Sequence, residues 1–185
     1  MSVESEQGSE EAEAGQFQFG QEAAHVVEFH LGEEQCAIDI EGVDGIVEMK
    51  QITRVPRAPD AVDGVMDLRG ETTAVIDPKT FLSVGTGDEE QNILVLDREG
   101  DKQKIGIRVD EVREVAAYRE SQIDHNGQLA GIQSDAIESQ LVKGVIRKPI
   151  GEAENGQAED VTLILWLDVE QLVNRASGEE LDSTD

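Results

Sequence analysis

Positive charge is what this sequence has least of. Its 15 Lys and Arg face 41 Asp and Glu across 185 residues, for a formal net charge of -26. Nucleic acid is therefore not an expected partner, because phosphate binding needs clustered cations that release counterions. An anionic membrane surface is disfavoured on the same ground. Cysteine is represented by Cys36 alone, so no internal disulfide can form, and a small buried hydrophobe is the expected role. No Lys or Arg precedes Lys50 and the opening residues hold no long apolar stretch, so no signal peptide is expected and the cytoplasm is. Even the run Val161–Leu167 falls far short of the roughly 20 residues that span a bilayer, which argues against membrane insertion.

What is abundant is acid, and it needs a reason. Like charges at this density repel and destabilise a compact state in ordinary buffer. At about 1 M salt the screening length falls to roughly 3 Å and the repulsion fades. A chain rich in Asp and Glu with few Lys fits the salt-accumulating cytoplasm of a halophile such as a halophilic archaeon; an ordinary acidic protein is the alternative.

Residues 1–24 are acidic, contain Gly and show no periodicity, so they are expected to be a disordered tail. Phe17 and Phe19 are read as the approach to the first strand rather than a partner motif. SGEELDSTD, residues 177–185, is expected to be a second acidic tail. Between them the signals are mostly β. HVVEFHL (25–31) and EQCAIDI (34–40) flank Gly32 and Glu33 as a hairpin would. Ile52–Val55 is strand-like, and PRAPDAVDG then blocks extension with Pro56 and Pro59 before Asp60, a cap for one helical turn. VMDLR and ETTAVID follow, hinged at Gly70. After the acidic, Gly-rich linker 83–91 come NILVLD and KQKIGIRVD around the turn REGD, then VREVAAY, KGVIRK and VTLILWLD. Short strands at regular spacing point to small barrels or a sandwich. Asp168 caps a final helix through Val169, Leu172 and Val173. Trp166, in a run apolar on both sides, is expected in the core.

Catalytic patterns are missing. His25, His30 and His125 lack HExxH spacing, no CxxC pair supports zinc, and there is no GxSxG, GxxxxGK[ST] or GxGxxG. DIEGVDG (39–45) lacks the alternating ligands of a calcium loop. No enzyme, metal or cofactor is expected.

The ordered set AIDIEGVDGI (37–46), ITRVPRAPDAVDGVMDLRGETTAVID (52–77), IGIRVDEVREV (105–115), KGVIRK and VTLILWLDVEQLV resembles CheW, the chemotaxis coupling family, over roughly Val26 to Val173. The resemblance implies an all-β fold of two SH3-like barrels sharing an apolar seam, with a short C-terminal helix. Residues 25–82 would form the first barrel and 92–176 the second, the latter including that helix. It implies a non-catalytic adaptor that couples the cytoplasmic tips of methyl-accepting chemoreceptors to the regulatory domain of the histidine kinase CheA, at membrane-associated receptor arrays. A CheW-like scaffold for another two-component kinase, or a small β-barrel ligand-binding module, is the alternative.

Residue by residue, Arg69 matches the arginine of the family's NLRG motif and is the expected receptor-binding cation, together with Leu68 and Gly70. Val43 and Ile46 match its apolar receptor-contact stretch, and Gly64 and Gly70 are expected to supply tight turns. Against this, Arg69 would simply pair with Asp67 or Glu71 in its own barrel. Lys50, Arg54 and Arg57 cluster in a cation-poor chain, either facing an acidic partner or relieving local repulsion. The sequence departs from the family at Gly45, where glutamate is common, at Asp67, and at Ala74 with Pro78. The segment 147–160 is expected to be a long acidic turn.

Overall fold

The computed structural model describes residues 22–82, 84, 91–97, 103–125, 139–151 and 160–178. The expected tails fall largely outside these residues, as do most of the linker 83–91 and the turn REGD. Eleven strands and a helix are defined among the described residues. They are β1 (Glu22–Leu31), β2 (Glu34–Asp39), β3 (Val43–Glu48), β4 (Val62–Leu68), β5 (Glu71–Ile76), β6 (Asn92–Leu96), β7 (Lys104–Val109), β8 (Glu111–Arg119), β9 (Ile123–Asp124), β10 (Val142–Ile150), β11 (Asp160–Leu167) and the helix α1 (Val169–Ser177).

Two sheets result. One has the order β8-β1-β2-β11-β10-β9 and the other β3-β6-β7-β5-β4. Each curls into a barrel-like subdomain. In the six-stranded sheet, Lys148 of β10 reaches both Glu28 of β1 and Glu114 of β8, strands that are not its neighbours. The sheets divide the chain differently from the boundary at 83–91. β1 and β2 join the late strands, whereas β6 and β7 complete the sheet begun by β3, β4 and β5. Four pairings accomplish this, two parallel, β11 with β2 and β5 with β7, and two antiparallel, β1 with β8 and β3 with β6.

The apolar pattern explains the architecture. Along β1, Val27, Phe29 and Leu31 belong to one buried cluster while Val26 belongs to another. On β6, Leu94 and Leu96 join the first cluster and Ile93 and Val95 a third. Successive strand residues point to opposite faces. A strand covered on both faces therefore reads as a continuous apolar run, as in NILVL and LILWL. The first cluster is the seam between the sheets, and α1 closes it with Leu172, Val173 and Ala176. Asp168 caps that helix by accepting a hydrogen bond from Gln171 N at 3.2 Å, and Gly178 ends it in the left-handed region at φ 77°.

Trp166 is core, as expected. It is 7% exposed, its indole N–H donates to Asp39 Oδ1 at 2.8 Å, and the Lys143 ammonium lies 4.4 Å from its ring centroid. Cys36 is fully buried, and burial pushes its thiol pKa up, which makes it unreactive. Buried Glu28 accepts from the Tyr118 hydroxyl and from Lys148, so its charge is not left alone in the barrel. Asp110, buried between β7 and β8, accepts from Gly32 N in the β1–β2 turn and from Lys79 beyond β5. It thereby ties the two sheets together.

Four expectations change. Asp60 caps no helical turn; Val62 N donates to Pro59 O at 2.9 Å, a tight turn that delivers the chain directly into β4. Ile52–Val55 forms no strand beyond the pairing of Thr53 with Val65. The supposed long turn after Arg147 begins as strand, since Arg147–Ile150 continue β10 opposite Leu163–Asp160 of β11. The chain from 152 to 159 lies outside the described residues. β1 begins at Glu22, so the last three residues assigned to the N-terminal tail are strand.

Candidate functional site

Among the described residues, β3 and β4 are the two edges of the five-stranded sheet, and curvature brings them to the rim of one groove of about 480 Å³. Asp44, Gly45, Ile46 and Val47 line it from β3, Leu68 from β4, Glu71 and Thr73 from β5, Val95 from β6 and Lys104 from β7, with Lys50 and Arg69 from the connecting segments. Ile46, Val47, Leu68 and Val95 give it an apolar lining that also holds the buried Thr73, and Asp44, Lys50, Arg69, Glu71 and Lys104 supply charge.

Arg69 owes its position to a turn. Leu68 pairs with Glu71, so Arg69 and Gly70 form the entire loop between β4 and β5. Their φ angles are 52° and 84°. Positive φ at both central residues is what a type I′ hairpin needs, and Asn-Gly is the usual solution. An arginine in the left-handed region costs about 1–2 kcal/mol. The tight turn bears that cost and places Arg69 exposed at the groove's edge. Among the described residues it has no hydrogen bond or ion pair, so neither Asp67 nor Glu71 neutralises it.

Glu71 is instead engaged by Lys104, whose ammonium lies 3.1 Å from Asp44 Oδ2 and 3.6 Å from Glu71 Oε2. The hydrogen bond to Asp44, helped by both carboxylate charges, raises the Lys104 pKa. All three side chains are exposed, so the link adds little to stability but fixes the charge pattern of the rim.

The expected site residues separate into two groups. Ile46, Leu68 and Arg69 line the groove together, and Gly70 completes the turn. Ile46 is 43% exposed, an unusual state for isoleucine, whereas Leu68 packs partly against the core of this barrel. Val43 lies elsewhere: it is half-buried, opposite Leu96, and packs on the seam. Gly64 is not a turn residue. It lies buried within β4 at φ 149°, at a register shift, and a β-carbon there would meet Thr53 O at 2.2 Å. Its role is to let the 52–53 segment cross close to β4. Gly45, by contrast, lines the groove with open space beyond its Cα.

Lys104, Asp44 and Val95 were not anticipated. Lys104 reaches the site only because β7 pairs in parallel with β5, Thr73 opposite Lys104. No local pattern announces a pairing between segments about thirty residues apart. Of the basic cluster, Lys50 lines the groove while Arg54 and Arg57 are exposed beyond it. Among the described residues no group of three or more His, Cys, Asp or Glu is placed to hold a metal ion, and no helix is long and apolar enough to cross a membrane.

Comparison with known proteins agrees with this architecture. The CheW-like domain matches residues 25–177. The chain is 25% identical over 155 residues to the chemotaxis protein CheW of Thermotoga maritima, covering 84% of this chain and 91% of that one. It is 31% identical over 132 residues to the CheW of Treponema pallidum, covering 69% and 75%. The crystal structure of scaffolding protein TtCheW from Thermoanaerobacter tengcongensis superposes with a TM-score of 0.64 at 27% identity, covering 80% of this chain and 86% of that one. With the domain match spanning nearly all of both barrels and the same fold in a solved relative, the chain belongs to the CheW family.

Proposed function

We propose that this CheW-family chain is a chemotaxis coupling adaptor that grips a chemoreceptor cytoplasmic tip in the Arg69 groove and holds the regulatory domain of the histidine kinase CheA on a separate face. It acts as a scaffold and not as an enzyme, in keeping with its family. The observation that carries the receptor contact is the convergence of Ile46, Leu68 and the strained, unpaired Arg69 on one groove. An apolar floor with a forked cation at its rim suits a helical segment that buries one side chain and offers a carboxylate or backbone oxygens to the guanidinium. For the kinase, the other sheet offers apolar surface at Val115 on β8 and at Ile150 and Val161 on β10 and β11, each at least 41% exposed. Its working place is then a receptor array, in a cytoplasm whose salt offsets the chain's charge.

The division of labour is tested by Arg69→Ala. Removing the guanidinium is expected to weaken binding of a receptor cytoplasmic fragment about tenfold, the scale of one charge-assisted contact. Binding of the CheA regulatory domain should stay within about twofold, measured by co-sedimentation in high potassium chloride. Equal loss of both partners would remove the case for separate faces.

A further inference from the structure

Among the described residues, the non-glycine positions with left-handed φ are Arg57, at 66°, and Arg69, at 52°. Both are arginines, both are exposed, and neither has a hydrogen bond or ion pair among the described residues. Asparagine or glycine would adopt that backbone at lower cost. Strain kept at an unpaired charged side chain points to a contact outside the molecule. The groove accounts for Arg69 but not for Arg57.

The path of the chain connects them. Thr53 and Val65 exchange backbone hydrogen bonds, each 2.8 Å, which lays the segment around Thr53 antiparallel along the outer edge of β4. Lys50 therefore falls at the Leu68 end, where it lines the groove beside Arg69. Arg54 falls near the Gly64 end, and Arg57 lies beyond it, in the turn that leads into β4. The seven residues of β4 span about 23 Å at roughly 3.3 Å each. Arg69, Lys50, Arg54 and Arg57 thus form a cationic rail along one barrel edge, with Val55 at 43% exposure between the last two. Asp60 and Asp67 lie along the same stretch, and neither bonds to any of these cations.

We infer that the partner in the groove continues along this rail, as an elongated acidic protein segment that presents carboxylates to Arg54 and Arg57 at the far end of β4. This rests on the Arg69 groove being the receptor contact. Continuity through Lys50 favours one partner over two, and charge complementarity favours carboxylates. A nucleic acid would meet the same cations but would also face the charge of -26.

The test uses the full chain with Arg57→Asn and Arg57→Lys beside Arg69→Ala. Each is titrated with a chemoreceptor cytoplasmic fragment, with the CheA regulatory domain and with a single-stranded DNA oligonucleotide, near physiological salt and in molar potassium chloride. Arg57→Asn should weaken receptor binding roughly fivefold at low salt and less at high salt, as exposed charge pairs do. Its thermal midpoint should not fall, because asparagine tolerates the left-handed backbone. Arg57→Lys should recover part of the affinity, and kinase binding should not change. If Arg69→Ala loses the receptor while Arg57→Asn does not, the rail is refuted and the groove stands. If neither variant changes receptor binding, both ideas fall. Loss of kinase or DNA binding in place of receptor binding assigns Arg57 to another partner and overturns the inference.

Discussion

Asp77 answers two conflicting demands. Its Oδ1 accepts a hydrogen bond from Lys79 N at 3.0 Å and so caps the short 3-10 turn Pro78–Thr80 that leads off β5. The same carboxylate is half-buried, and burial, with Asp63 adding repulsion, holds its pKa above the usual value of 3.8 despite the opposing pull of Lys79 and Arg108. A raised folded pKa means that the native state binds this proton more tightly than the unfolded chain does. The charge therefore weighs against folding at neutral pH, and the penalty is relieved as pH falls through the folded pKa. Asp77→Asn keeps the accepting oxygen and removes the charge. It should be more stable than the parent at pH 7, with the gain shrinking as pH is lowered and nearly gone below 3.8. Urea midpoints measured across that range would show it; a uniform loss at every pH would mean that the ionised cap matters more than its desolvation.

At the level of elements, β4 depends on Gly64. A β-carbon there would lie 2.2 Å from Thr53 O and 2.8 Å from the Thr53 carbonyl carbon, and backbone atoms cannot swing aside as a side-chain tip would. With φ at 149°, strain adds to the clash. Gly64→Ala should cost about 3 kcal/mol in chemical denaturation, and a loss under about 1 kcal/mol would mean the 52–53 segment is not pinned. Nothing local in VDGVMDL marks this glycine as a crossing point rather than a turn, which is why a turn was expected. What the sequence did reveal were features with local signals: the β1–β2 and β4–β5 hairpins at Gly32 and Gly70, and α1 behind Asp168. The groove was legible in part, through Ile46, Leu68 and Arg69. Lys104 and Asp110 were hidden, because one acts through a parallel pairing and the other through a tie between sheets, and neither leaves a periodic trace. The same exchange of strands between sheets escaped the division at 83–91, since adjacency in sequence is a weak guide once crossovers are parallel.

For the molecule as a whole, charge sets the conditions under which these elements stay together. Several cations among the described residues are drawn into local pairs, Lys79 with Asp110, Arg108 with Asp63, Lys148 with Glu28 and Glu114, while 41 acids in the whole chain outnumber 15 bases. The unpaired excess repels across the surface. Between about 0.1 M and 1 M salt the screening length falls from roughly 10 Å to 3 Å, so most of that repulsion should vanish within this interval. The seam is apolar and loses nothing to screening. The thermal midpoint should therefore climb steeply with potassium chloride up to about 1 M and flatten above it, whereas a neutral osmolyte at matched osmolality should give no such early rise. A flat or falling midpoint over the first molar would show that the acidic surface does not limit stability. Salt that screens this repulsion would also weaken the cations at Arg69 and Lys50, so on the proposed receptor contact the groove is expected at high ionic strength to hold its partner chiefly through Ile46, Leu68 and Val95. The open space at Gly45 then matters, because it leaves room for an apolar side chain to pack beside Ile46.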